Sequence, residues 1–341
     1  MERTGGGRTR RATMQDVAAR AGVSRSLVSL VFRGEPGASP ETRDRVLRAA
    51  DEIGYRVDPT ARLLRSSRSR LLGVVLDTRN AFHADLVDGI YASAEETGYE
   101  VALSALAPTR DERKAVERLI AYRSEALILL GPETTAEELS ELGRRIPVVT
   151  IGRGATAETV DSVHIAEMDG ARQSVDHLVG LGHRAIVHID GGRASMAGER
   201  RRGYRQAMRR RGLADEIRVI PGDHNETSGA EAARTLLAGR TLPTAVMAYN
   251  DRCATGLLDA FLRAGVRVPA DVSVVGCDDS SLARLAHISL TTLSQDAERM
   301  AELAVQAAVE RLDGGRSKPR DVVISPHLVV RASTARPRTA G

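Results

Sequence analysis

Thr13, Asp16, Val17, Ala18, Ala21, Gly22, Val23, Ser24, Val28 and Ser29 stand at the spacing of two short helices joined by a tight turn. That is the arrangement of a helix-turn-helix DNA reader. Thr13 can cap the first helix, and Val17, Ala18 and Ala21 put small apolar groups on one of its faces. Gly22 can take a positive φ without a Cβ clash, so the helix can end in a tight turn. Ser24 then caps a second helix running to about Phe32, with Leu27, Val28 and Val31 as its buried stripe. Arg25, Ser26 and Ser29 project from the N-terminal part of that helix, the part that reaches base edges in the major groove. A third helix is predicted after Ser39-Pro40-Glu41-Thr42, a cap followed by proline at the first helical position. Its apolar face is Val46, Leu47, Ala50 and Ile53, and Gly54 stops it.

Charge separates this head from the rest. Met1 to Arg70 holds fifteen arginines and no lysine against eight acids, +7 in a chain whose net charge is +4, which leaves the remainder at −3. A basic head on a mildly acidic body suits phosphate contact by the planar arginine fork. At 341 residues, 42% hydrophobic and 28% charged, the chain has material for two or three domains. No apolar run approaches the roughly 20 residues of a membrane span, and the arginine- and glycine-rich start has no signal-peptide core. A cytoplasmic protein without a membrane partner is expected. Cys253 and Cys277 have neither CxxC spacing nor neighbouring histidines, so both read as small buried residues, with no metal and no cofactor expected.

Arg65 to Arg70, Arg-Ser-Ser-Arg-Ser-Arg, reads as a linker. Just before it, Asp58 and Pro59 can cap and start about two helical turns, too few to be stable alone. After the linker, apolar runs alternate with helix-like segments. Leu71–Leu76, Glu100–Ser104, Ala126–Leu130 and Pro147–Ile151 predict strands, with helices between at Ala84–Thr97 and Arg110–Tyr122. The rhythm restarts after Asp161, with strands at Ala185–Ile189, Arg218–Ile220, Ala245–Ala248 and Val272–Gly276. Helices are expected around Gly170–Leu181, Gly198–Arg211, Ser228–Ala238 and Arg252–Ala264. Repeated strand, helix, strand means parallel sheets, here in two α/β lobes, and a ligand then binds where loops leave the carboxyl ends of the strands. The polar residues at those ends are Asp77, Asn250-Asp251 and Asp278-Asp279, with Arg200 opening a helix. Each alone reads equally as a helix cap or surface ion pair; together they suggest a site, with Phe82 and Tyr249 available to stack on a ligand face.

The head sequence Thr-Met-Gln-Asp-Val-Ala-Ala-Arg-Ala-Gly-Val-Ser at 13 to 24, then Thr42-Arg-Asp-Arg-Val and Gly54-Tyr55, resembles the LacI/GalR family of ligand-responsive bacterial repressors. The resemblance continues through His177-Leu-Val-Gly-Leu-Gly-His183, Arg200-Arg-Arg-Gly-Tyr204, Asn250-Asp251, Val274-Val-Gly-Cys-Asp-Asp279, Leu290-Thr-Thr-Leu and Leu328-Val-Val-Arg-Ala-Ser-Thr334. It implies an all-α helix-turn-helix head with a hinge helix and a two-lobed, periplasmic-binding-protein-like α/β body. It also implies a homodimer on a palindromic operator in double-stranded DNA, with a small-molecule effector between the lobes. The DNA-contacting set it implies is Thr13, Ser24, Arg25, Ser26, Ser29, Arg33, Ala61 and Leu64, with Leu64 as a wedge that unstacks a central base step. The effector set is Asp77, Phe82, Arg200, Asn250 and Asp278, where a charged donor fork opposite a carboxylate suits sugar hydroxyls. Purines are bound in this cleft by some relatives. The implied layout is a basic tail at 1–12, a DNA-binding domain at 13–58, a hinge helix and linker at 59–70, and a tail at 336–341. Between them lie a first lobe at 71–161 with 293–323 and a second at 162–292 with 324–335.

Three departures from the family pattern stand out: Val57-Asp58 in place of Pro-Asn in the hinge, Ala166-Glu167 where relatives often carry Asp-Asn, and Ala297 in place of an aromatic. The closing Arg336-Pro-Arg-Thr-Ala-Gly has no leucine heptad, so a dimer is expected. A solute receptor would have no use for the basic head. An enzyme would need more than the carboxylates of Asp77 and Asp278, because no nucleophile-base pair or phosphate loop accompanies them.

Overall fold

The computed structural model describes residues 12–32, 34–56, 68–154 and 157–338. The chain divides into two units, one up to Ser69 and one from Arg70 onward. In the first, α1 (Met14–Ala21) opens on a reciprocal cap: the Thr13 hydroxyl accepts from the Asp16 amide, and the Asp16 carboxylate accepts from the Thr13 amide at 2.8 Å. Gly22, at φ 65°, closes the helix in the left-handed region. The Ser24 hydroxyl accepts from the Leu27 amide at 3.2 Å and starts α2 (Arg25–Phe32), and Ser39 does the same for Thr42 at the head of α3 (Pro40–Glu52). The core is Val17, Ala18, Ala21, Val28, Val31, Val46, Ala49 and Ala50. Leu47 is not in it: the residue is 42% exposed, because the buried face follows 46, 49, 50 and 53, a helical stripe from which 47 is turned by one step. Leu27 is half-buried.

The second unit has two six-stranded sheets. The first contains β1 (Leu71–Asp77), β2 (Glu100–Leu106), β3 (Ala126–Leu130), β4 (Val148–Ile151) and β5 (Asp161–Ile165); the second contains β6 (Ile186–Ile189), β7 (Arg218–Ile220), β8 (Ala245–Met247), β9 (Ser273–Asp278) and β10 (Thr291–Ser294). β11 (Asp321–Ile324) joins the edge of the first sheet and β12 (His327–Val329) that of the second, giving orders 2-1-3-4-5-11 and 7-6-8-9-10-12. All pairs are parallel except β10 with β12. Central strands such as β3 are buried along their whole length because helices cover both faces, hence their unbroken apolar runs.

In the first lobe α4 (Ala81–Thr97) covers one face, where Leu86 and Ile90 meet the core, and α5 (Glu112–Ala121) with α6 (Ala136–Arg145) covers the other. In the second, α7 (Glu167–Leu181) and α8 (Ala197–Arg210) lie on one face, with α9 (Glu226–Leu237) and α10 (Asp251–Arg263) on the other. α11 (Ala297–Leu312) follows β10 but packs in the first lobe through Met300, Ala301 and Ala304. α6 and α11 lie where the sequence pattern predicted no helix.

The lobe boundaries differ from those expected. β5 belongs wholly to the first sheet, so the first crossing follows Ile165 rather than Asp161; β10 belongs to the second, so the return follows Ser294 rather than Thr292. The last crossing follows Ile324. A small apolar cluster of Ile165, Cys277 and Leu293, flanked by Ile324, fills the junction of the lobes. Among the described residues no helix is long and apolar enough to cross a membrane.

Candidate functional site

The head arginines fall into two groups. Arg45 donates to the Ala21 carbonyl at 3.0 Å and Arg43 to Val31 at 3.2 Å, placing cations on the carbonyl ends of α1 and α2, while Arg20 pairs with Glu52. These hold the helices together. Arg25 is exposed at the start of α2 and has no ion-pair partner among the described residues, so its guanidinium is free for an external acceptor. Ser24 and Ser26 are exposed beside it, their hydroxyls 3.0 Å apart, Ser29 is half-buried one turn on, and Thr13 is spent on its cap. Arg33, Ala61, Leu64 and the expected hinge helix lie outside the described residues.

Between the lobes of the body a cleft of about 540 Å³ collects all five effector residues expected from the sequence: Asp77, Phe82, Arg200, Asn250 and Asp278. Their bonding corrects the simplest picture of them. Asp77, at the end of β1, accepts from Arg79 Nε at 3.0 Å and Nη2 at 3.1 Å, with Arg252 of the other lobe 4.0 Å away. Burial pushes its carboxyl up, yet the Arg79 hydrogen bonds outweigh this and hold it below the usual carboxylate value. Asn250 is the cap of α10: its carbonyl accepts from Cys253 at 2.9 Å and its amide donates to the His224 carbonyl at 3.1 Å. Phe82, in the first turn of α4, lays a buried ring against the cleft.

Arg200 does not present an open fork. Its Nε and Nη2 donate to Glu167 at 2.8 Å each, Nη1 donates to the Tyr249 carbonyl, and the guanidinium lies 4.6 Å from the Tyr249 ring centroid. Each terminal nitrogen keeps one proton without a partner, so a ligand is offered two N–H groups rather than five. The Tyr249 ring is held against Gly191, where a Cβ would stand 2.3 Å from a ring carbon. Asp278, at φ 130°, accepts from Gln295 at 2.6 Å. Behind it Asp251 accepts from Thr292 at 2.6 Å and from the Ser280 amide and hydroxyl at 2.8 and 2.9 Å. Burial, and then the charge of Asp251, raise the Asp278 carboxyl well above its usual value. The three donors to Asp251 favour the charged form there, and burial favours the protonated form of Asp278.

Cleft residues beyond the sequence expectation include His83, Glu167 and Gln295. Glu167 carried a signal, since it is half of the Ala166-Glu167 departure. His83 sits in the first turn of α4. Cys253 and Cys277 are buried, as the sequence suggests.

Residues 13–58 match the model for bacterial regulatory proteins of the lacI family, and residues 175–334 match a periplasmic binding protein-like domain. The HTH-type transcriptional regulator CelR of Thermobifida fusca is 34% identical over 96% of this chain and 99% of its own. Among solved structures, a LacI transcriptional regulator from a Rhodococcus species is 49% identical and superposes with TM-score 0.76 over 78% of this chain and 99% of that one. The lac repressor dimer bound to operator and the anti-inducer ONPF is 27% identical, with TM-score 0.79 over 96% of this chain and all of the other. A CelR–cellobiose complex is 31% identical, with TM-score 0.68 over 95% and 100%. The chain belongs to the LacI family: it is a DNA-binding transcriptional regulator and not an enzyme.

Proposed function

We propose that the protein is a dimeric repressor of a sugar uptake or catabolism operon, acting in the cytoplasm on a palindromic operator and responding to a sugar in the interlobe cleft. The observation that carries the reading is the cleft itself. Its volume lies within the roughly 300–1,000 Å³ of small-molecule sites, and Phe82 gives it a flat apolar face. Asp278 and the two spare Arg200 protons give it neutral and cationic hydrogen-bonding groups suited to hydroxyls. CelR binding cellobiose supports a sugar, and the lac repressor dimer on its operator supports two heads on one palindrome. In this reading Arg25 and Ser26 read bases, Ser24 and Ser29 contact phosphate or base edges, Leu64 is the minor-groove wedge, Arg33 and Ala61 complete the contacts, and Thr13 acts through the helix it caps. A sugar shifts operator affinity only through its different affinity for the two lobe arrangements.

Selection of sites from a random duplex pool tests the first half. A palindrome, bound more weakly as salt rises, is expected, and its titration with cellobiose, galactose and ribose tests the second. Change of operator affinity by a purine and by none of the sugars overturns the sugar assignment. A tetramer by sedimentation overturns the dimer.

A further inference from the structure

We propose that His83 is a specificity-determining residue of the cleft, its Nε2–H donating to a hydroxyl oxygen of the effector from the first-lobe wall; the inference rests on the sugar reading above. The Asp77 amide donates to His83 Nδ1 at 3.0 Å. A nitrogen that accepts from a backbone N–H carries no proton, so in the neutral ring the proton is on Nε2. The tautomer is fixed by the main chain at the end of β1.

His83 is more than nine-tenths buried and lines the cleft, and among the described residues its Nε2 has no hydrogen-bond partner. The Nε2 is open to the cleft rather than sealed in the core, so a ligand oxygen there takes the place of solvent. Access to Nε2 depends on Gly131, which also lines the cleft at φ 57°: a Cβ there would stand 3.6 Å from Nε2, and a longer side chain would cover it. Burial pushes the imidazole down to about 4, so the ring stays neutral and its Nδ1 stays free to hold the Asp77 amide. A neutral donor selects an uncharged acceptor oxygen. It thereby complements Arg200, the cation on the second-lobe wall, and one sugar hydroxyl on each side would tie the lobes together.

Two variants separate the roles of the two ring nitrogens. Asparagine places its carbonyl oxygen near the position of Nδ1 and has nothing at Nε2; glutamine places its amide nitrogen near Nε2 and has nothing at Nδ1. Full-length wild type, His83→Asn and His83→Gln would be titrated calorimetrically with cellobiose, galactose and ribose, with circular dichroism melting to check that each variant is folded. For whichever sugar the wild type binds, His83→Asn is expected to weaken binding by about tenfold or more, and His83→Gln to stay within about threefold. Unchanged binding by His83→Asn, or equal losses in both variants, overturns the donor role. Wild-type protein that binds none of the three overturns the sugar reading and the hydroxyl acceptor with it.

Discussion

Glu167 and Arg200 face each other in a two-bond pair at 2.8 Å, with their side chains 2% and 5% exposed. The pair spends the donor fork that would otherwise point into the cleft. Removing one partner of such a pair leaves the other charge buried, which costs about 3–5 kcal/mol. Glu167→Ala is therefore expected to lower stability by that amount. Glu167→Ala with Arg200→Met should recover most of it, because no charge is then stranded. Urea unfolding of the three proteins reads this directly, and a single variant as stable as wild type would contradict it.

Burial, and then the neighbouring charge of Asp251, raise the Asp278 carboxyl well above its usual value and favour its protonated form. Asp278→Asn keeps the shape and the neutrality, and asparagine tolerates the left-handed backbone, but it exchanges the hydroxyl donor of the protonated acid for an amide. Operator affinity should be kept and the response to sugar lost; a variant responding at the wild-type sugar concentration would displace the site. The same variant has a pH signature. Asp278 is raised above its unfolded value and Asp251 is raised to about 6, so this pair binds more protons in the folded protein than in the unfolded chain above about pH 4. Stability contributed by this pair therefore falls as pH rises through about 6. Melting temperature against pH should be flatter for Asp278→Asn than for wild type.

His188 tilts the balance the other way. It is wholly buried against the Tyr204 ring, with Nδ1 3.0 Å from the Met247 carbonyl, and burial pushes it down to about 4. The unfolded chain takes up this proton near pH 6.5, so the His188 contribution is present above that value and is lost as pH falls from 6.5 toward about 4. His188→Phe should remove that part of the acid sensitivity. Loss of melting temperature from about pH 7 to about pH 4.5 in the two proteins is the comparison, and identical slopes would exclude His188 as a cause.

Much of this site is legible in the sequence because it follows local rules. Thr13, Gly22, Ser24 and Ser39 act through neighbours within a few residues, and Asp77, Asn250 and Asp278 follow from strand ends in a parallel sheet. What is not legible depends on pairing at long range. Nothing near Arg200 in the chain says that Glu167 has taken its fork, since the partner lies 33 residues away. Leu47 was misplaced by a local ambiguity, adjacent apolar residues of which only one fits the stripe. β5 was given to the wrong lobe because the crossing depends on which sheet has a free edge, and the head arginines all look alike until their carbonyl partners are known.

That last distinction separates two arginines experimentally. Arg25 has no ion pair among the described residues and stands at the start of the helix proposed to read bases, while Arg45 ties α3 to the Ala21 carbonyl. Base contacts specify and framework contacts do not. Arg25→Ala is expected to relax preference at one position of each half-site, worth about 1–3 kcal/mol there, with folding unchanged. Arg45→Ala should weaken binding to all sites evenly by loosening the head, at about 1–3 kcal/mol for a charged hydrogen bond, and leave the selected sequence the same. Site selection with both variants decides it: a relaxed position in Arg45→Ala, or an unaltered preference in Arg25→Ala, would reverse the assignment.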